Sequence, residues 1–164
     1  MLFSASFIGG VILVLRFNFC NYYVRDYFAV IGLPNFSPPY EVIIDVFGEP
    51  EKIYFPNHSP YLATVQYSEI HFIVRYDPNT SKLLNIQAVR IYDYLIRFGR
   101  RQIGVKSTRN EIIRAYRGFR GVRVNEFIRE EQHVIGVIDG YTWLEFNLER
   151  DDTVKSIVIF VGGP

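Results

Sequence analysis

Apolar positions along the chain follow two rhythms in succession. Between Asn110 and Gly118, Ile112, Ile113 and Tyr116 recur at helical spacing, which predicts a short helix. In Val134–Ile138, Tyr141–Leu148 and Val154–Val161 apolar residues alternate or run almost unbroken, which predicts strands. The same succession stands earlier in the chain: a helix over Pro39–Phe47, then strands near Tyr61–Tyr67, Ile70–Tyr76 and Leu83–Ile91. Punctuation agrees with the rhythm. Thr108 and Glu111 have the spacing of a capping box, and Ser37 with Pro38 reads as an N-cap followed by a proline at the first helical position. Gly118 and Gly48-Glu49-Pro50 are helix stops, and Asp139-Gly140 and Asp77-Pro78-Asn79-Thr80 are turns.

Side chains on a strand alternate faces, so the strands also predict an inside and an outside. Leu144, Phe146 and Leu148 point inward, and Tyr141, Trp143 and Glu145 outward. Phe72, Val74 and Tyr76 point inward, and His71, Ile73 and Arg75 outward.

The two successions share words as well as order. Glu41–Phe47 reads as Asn110–Tyr116 does, 69 positions earlier, and Leu15-Arg16-Phe17-Asn18-Phe19 reads as Leu144-Glu145-Phe146-Asn147-Leu148 does. The pattern predicts an α+β fold of tandem repeats, each a short helix plus an antiparallel meander. Together they form one sheet with the helices on one face, preceded by a half-repeat β-hairpin. The divisions are 1–30 for the hairpin, 31–95 for repeat 1 and 96–164 for repeat 2, within one continuous domain. A β-sandwich with incidental helical turns is the alternative architecture.

A hydrophobic-Gly opening (Ile31-Gly32, Ile103-Gly104), a short capped helix with the pattern Glu-Ile-Ile-x-x-Tyr, a Gly-x-Pro stop and a meander resemble the BamE/SmpA-OmlA and β-lactamase-inhibitor-protein superfamily. Gly48-Glu49-Pro50 matches that stop, whereas Arg117-Gly118-Phe119-Arg120 lacks the proline. The resemblance implies a non-enzymatic binder, inhibitor or assembly factor that presents the sheet face opposite the helices. By carry-over, Trp143, Tyr141, His71, Ile73 and Arg75 lie on the analogous face. The chain shows no lipoprotein signal with an acylated cysteine, since Cys20 falls inside the predicted hairpin, and an outer-membrane assembly role is thereby put in doubt.

Composition narrows the picture further. At 164 residues and 49% apolar, the chain is long enough for one domain with a real core. A single cysteine, Cys20, excludes an intrachain disulfide and reads as a buried inert thiol. The apolar run Leu2–Leu15 has no basic residue before it and is shorter than the ~20 residues of a membrane span. Gly10–Phe19 is read as a buried strand, with a targeting remnant as the alternative. A true start at Met1 favours the cytoplasm, and a missing upstream segment favours the cell envelope or secretion.

Catalytic signals are weak. His58, His71 and His133 are isolated from one another and from Cys20, so no metal or other cofactor is expected. No nucleophile elbow or phosphate loop is visible. Charge is distributed more tellingly. Between Arg97 and Arg129 ten Lys/Arg stand against two acids, Glu111 and Glu126, an excess of +8. The remainder carries eight basic and fifteen acidic residues. Arg109, Arg114, Arg117, Arg120 and Arg123 run through the second helix into the next strand, with Tyr116 and Phe119 among them. That segment reads as a solvated face, as a docking field for an acidic protein, or as a site for nucleic acid or lipid phosphate. Tyr116 itself matches Phe47 in the earlier copy, which marks it as core.

The expectation is a non-catalytic protein-binding module with Trp143, Tyr141 and Arg75 as anchors, its partner a protein with an acidic surface. The alternatives are a single-stranded nucleic-acid or other polyanion binder through segment 97–129, and a small hydrolase with a site across the repeats.

Overall fold

The helical rhythm is realised in the computed structural model, which describes residues 29–33, 38–98, 101–119, 121–139 and 142–160, as α1 (Tyr40–Phe47) and α2 (Arg109–Tyr116). Helix α2 has the capping box in full: Glu111 N–H donates to Thr108 Oγ1 at 3.3 Å, and Thr108 N–H donates to Glu111 Oε2 at 2.7 Å. Gly118 follows the C-cap at φ +91, a conformation that suits glycine. Helix α1 begins two residues later than the proline rule predicts. Its N-cap is Pro39, extended at ψ 154 and without a side-chain cap bond, and Ser37 lies outside the described residues. The reason is local, because a residue that precedes proline is pushed out of the α region, and Pro38 precedes Pro39. The extended dipeptide instead pairs with the strand that carries Asn85 and Ile86, where Pro38 O accepts from Ile86 N–H at 3.1 Å.

The described residues form ten strands, in chain order: β1 (Lys52–Tyr54), β2 (Leu62–Tyr67), β3 (Ile70–Asp77), β4 (Lys82–Ile91), β5 (Arg97–Phe98), β6 (Ile103–Gly104), β7 (Val122–Arg129), β8 (Gln132–Asp139), β9 (Thr142–Leu148) and β10 (Val154–Phe160). Eight of them form one sheet in the order β1-β2-β3-β4-β10-β9-β8-β7, antiparallel throughout. Each helix is therefore followed by four strands of the sheet, and the two runs meet where β4 pairs with β10. The fold is α+β with a large antiparallel sheet and two short helices.

Both helices cover the same face. Ile43 of α1 and Ile112, Ile113, Ala115 and Tyr116 of α2 belong to one buried cluster with Phe72, Val74, Ile91, Ile135, Leu144, Phe146 and Ile157 of the sheet. Each Val, Leu, Ile or Phe side chain among them, when fully buried, contributes about 1.5–3 kcal/mol of transfer free energy. Tyr116 packs on Phe146 with ring centroids 5.8 Å apart, so it is a core residue. Tyr76, near the end of β3, is half-buried and packs edge-on against Phe55, with ring centroids 4.8 Å apart.

The hairpin β5–β6 was not legible in the hydrophobic pattern. It rests on Gly104, where an added Cβ would fall 2.5 Å from the Ile96 carbonyl oxygen. Ser107 Oγ accepts from Gly104 N–H at 3.0 Å and buries that corner. Of the leading hairpin expected over 1–30, residues 1–28, including Cys20, lie outside the described residues, and Ala29–Ile31 form a single 3-10 turn. The hairpin turn at Asp139-Gly140 also falls largely outside them, although Asp139 pairs with Thr142 across it.

Candidate functional site

The sheet face away from the helices is organised in lateral rows by strand register. One row runs across all eight strands: Tyr54, Thr64, Ile73, Ala88, Phe160, Trp143, Ile138 and Arg123, each paired with the next. Its middle is apolar and its far end is a cation. The neighbouring row runs Lys52, Gln66, His71, Arg90, Val158, Glu145, Gly136 and Asn125, and it is largely polar. Trp143, Ile73, His71 and Arg75 are thus brought to one face, with Phe160 and Ala88 between Trp143 and Ile73. Arg75 is exposed opposite Leu62, whereas Ile73 and His71 are half-buried. Tyr141 lies outside the described residues.

Trp143 is half-buried and does not stand free of the sheet. Its indole tilts against Phe160 at a centroid distance of 5.4 Å. A Cβ placed on Gly136 would lie 3.2 Å from Trp143 Nε1 and 3.1 Å from Phe127 Cε1. The missing side chain of Gly136 is what lets both rings lie down on the strand between them. The buried Trp143 Nε1–H finds no acceptor among the described residues. Trp143 therefore combines a packing role over Gly136 with an exposed ring surface.

Glu145, read from alternation as outward, is outward and also buried. Arg129 reaches from β7 across β8 and donates from Nη1 and Nη2 to the two Glu145 oxygens at 2.7 and 2.8 Å. The Glu145 side chain is 2% exposed and that of Arg129 48%. The Arg129 guanidinium also lies 5.3 Å from the Phe127 ring centroid, a cation–π contact. Beside this pair, Asn147 Nδ2 donates to Ser156 Oγ at 3.2 Å, and both residues are buried. These groups floor a cavity of about 230 Å3 whose walls include Arg90, Tyr92 and Lys155. No sequence signal marked Asn147, Ser156 or Lys155, because each is an ordinary strand residue until the register places them together.

The basic segment does not form one surface. Arg109 is engaged by Glu126 in a two-bond fork, at 2.7 and 2.9 Å. Arg114 and Arg117 are exposed on α2 and its C-cap, on the helix side. Arg123 is exposed on β7 in register with Ile138 of the opposite face, and Arg120 lies outside the described residues.

The histidines stay apart: His58 is exposed, His71 packs on Tyr92 at 5.0 Å, and His133 lies 3.4 Å from Glu126 and 3.7 Å from Asp152. Among the described residues no group of three or more His, Cys, Asp or Glu is arranged to hold a metal ion, and no helix is long and apolar enough to cross a membrane.

No family model matches the chain, and no curated protein matches it. Among solved structures it is similar to a DUF4309 family protein of Bacillus subtilis, at 12% identity and a TM-score of 0.49, over 88% of this chain and 96% of that one. It is also similar to a cysteine-rich secretory protein of Staphylococcus aureus, at 10% identity and a TM-score of 0.46, over 77% of this chain and 44% of that one. Neither likeness bears on the chemistry of the face away from the helices.

Proposed function

We propose that the chain is a non-catalytic protein-binding module that docks a partner on the sheet face opposite the helices. The observation that carries this reading is the row Ile73-Ala88-Phe160-Trp143-Ile138, apolar over five adjacent strands of the face away from the helices, with all but the buried Ala88 half-exposed among the described residues. Aromatic anchors on such a surface are typical centres of binding energy. The cations around the row set the partner's chemistry. Arg123 ends it, Arg75 stands beside Ile73 on the same strand, and Arg90 lies in the next row. All three are exposed and have no ion-pair partner among the described residues. The occupant is therefore a protein segment with apolar side chains flanked by carboxylates.

The two helix-plus-four-strand runs are read as tandem copies within this module. Their helices begin at Tyr40 and Arg109, the offset of 69 that the sequence words share, and both feed strands in the same order. The resemblance to the BamE and β-lactamase-inhibitor superfamily is part of the same reading.

Selection of a random displayed peptide library against the full chain tests it. The selected peptides are expected to combine aromatic or aliphatic residues with Asp or Glu. Their binding should fall at least tenfold in Trp143→Ala and Ile73→Glu, and stay unchanged in Arg114→Glu on the helix side. Peptides indifferent to Ile73→Glu and Trp143→Ala overturn the reading. So does a concentration-dependent dimer abolished by Ile73→Glu, which would assign the row to a second copy.

A further inference from the structure

One row away from the apolar stripe, the sheet face away from the helices changes character. Strands β9 and β10 there bury Glu145, Asn147 and Ser156, at 1%, 9% and 5% exposure. Burying polar groups costs free energy unless each is hydrogen-bonded, and these groups are satisfied largely by one another. Glu145 is neutralised by Arg129, and Asn147 donates to Ser156. That floor still has donors to spare: the Asn147 side-chain NH2 carries two hydrogens, one of which is given to Ser156, and the Ser156 hydroxyl can donate while its oxygen accepts.

The walls add charge. Arg90 and Lys155 are both exposed, line the cavity, and have no carboxylate partner among the described residues. Three cations, Arg90, Arg129 and Lys155, face two acids, Glu130 and Glu145, and Arg129 is already committed to Glu145. The cavity therefore has an unbalanced positive charge above a floor of neutral donors. Lys155 is placed by an irregularity. Strand β10 shifts register between Val154 and Ser156, so that Val154 pairs with Leu148 and Ser156 with Asn147, leaving Lys155 as the extra residue. Such bulges re-aim side chains and are enriched beside functional sites. A cavity of about 230 Å3 accepts a small organic acid or the end of an acidic side chain, and it is too small for a nucleotide buried whole.

We propose that this cavity is a carboxylate-binding site, with Arg90 and Lys155 as the charged contacts and Asn147 and Ser156 as the neutral donors. The inference needs only the cavity's own residues and goes beyond the docking row. The carboxylate comes from a free small acid or from an acidic residue of a bound peptide, and the two sources share this chemistry.

Calorimetric titration of the full chain with succinate, and separately with succinamide, tests it. Saturable one-to-one binding of succinate is expected, weakened by roughly tenfold or more in the double variant Arg90→Gln/Lys155→Gln. Both positions are exposed, so the unfolding midpoint of the variant should match that of the parent. Arg114→Gln on α2 should bind as the parent does. A capped peptide containing one Glu, compared with its Gln counterpart, identifies the source. Preference for the Glu form shows that a peptide carboxylate enters, and succinate binding with no such preference assigns the site to a free acid. Equal binding of succinamide, equal binding by the double variant, or no binding of succinate or the Glu peptide overturns the inference. Trp143→Ala separates the two proposals: it should abolish capture of library-selected peptides while leaving succinate binding intact.

Discussion

Arg129 holds Glu145 by two parallel hydrogen bonds of 2.7 and 2.8 Å, and the two partners differ sharply in their access to water. The carboxylate is 2% exposed, whereas the guanidinium is 48% exposed. Loss of one partner therefore does not cost what loss of the other does. Arg129→Ala strands a buried charge and should cost about 3 kcal/mol, at the lower end of what breaking a buried pair costs. Glu145→Gln leaves a cation that can turn into solvent, and it should cost about half as much. Urea denaturation midpoints of the two variants measure the asymmetry. Equal losses would show that the pair is shielded symmetrically.

Gly136 is the second pressure point of the face away from the helices. In Gly136→Ala the new methyl would stand 3.1 Å from Phe127 Cε1 and 3.2 Å from Trp143 Nε1, so one ring must lift. Overpacking of this kind costs about 1–3 kcal/mol. Trp143 is the chain's sole tryptophan, which makes the displacement directly visible. The emission maximum should move to the red, with a lower unfolding midpoint.

The capping box gives α2 a dependence on acid. Backbone and side-chain hydrogen bonds from Thr108, in that order, hold the Glu111 carboxyl below its ordinary value, with smaller help from Arg97 and Arg114. A depressed carboxyl stabilises the fold above its unfolded pKa, and that contribution is lost as pH falls through the lower folded value. Thr108→Ala should cost about 1 kcal/mol at neutral pH. Glu111→Gln should flatten the acid limb of a stability-against-pH profile. An unchanged acid limb would place the sensitivity elsewhere.

Tyr67 contributes a dependence on the alkaline side. Burial first, then Tyr40 and Glu49, push its phenol from 10.0 up to about 12, and its hydroxyl donates to Gly48 O at 2.8 Å. A group whose folded pKa is raised stabilises the fold fully below the unfolded value and loses that contribution as pH rises through the folded value. The stabilisation should therefore vanish between about pH 10 and 12. Absorbance at the phenolate band, followed against pH, should lose one late-titrating group in Tyr67→Phe.

Much of this architecture was legible in residue order. Thr108 and Glu111 announced α2, and the alternation of Leu144, Phe146 and Leu148 announced the inner face, because both signals act over a few residues. Ile73 and Trp143 were correctly turned outward for the same reason. The cavity was not legible. Arg129 read as one more member of a basic run until β8 placed it two strands from Glu145. Lys155 needs a register shift in β10 that alternation cannot foresee, since a bulge changes the phase on which alternation depends. The basic segment failed as a unit for a complementary reason: residues close in sequence, such as Arg117 and Arg123, lie on a helix cap and on the opposite sheet face.

The most direct measurement of docking on the sheet face away from the helices is the fluorescence of Trp143 during titration with a library-selected peptide whose binding is followed independently by anisotropy. A partner seated on the Ile73–Phe160–Trp143 row desolvates the indole, so the emission should shift to the blue and saturate at the same concentration as the anisotropy. Saturable binding with Trp143 emission unchanged throughout would contradict the account and place the partner elsewhere on the molecule.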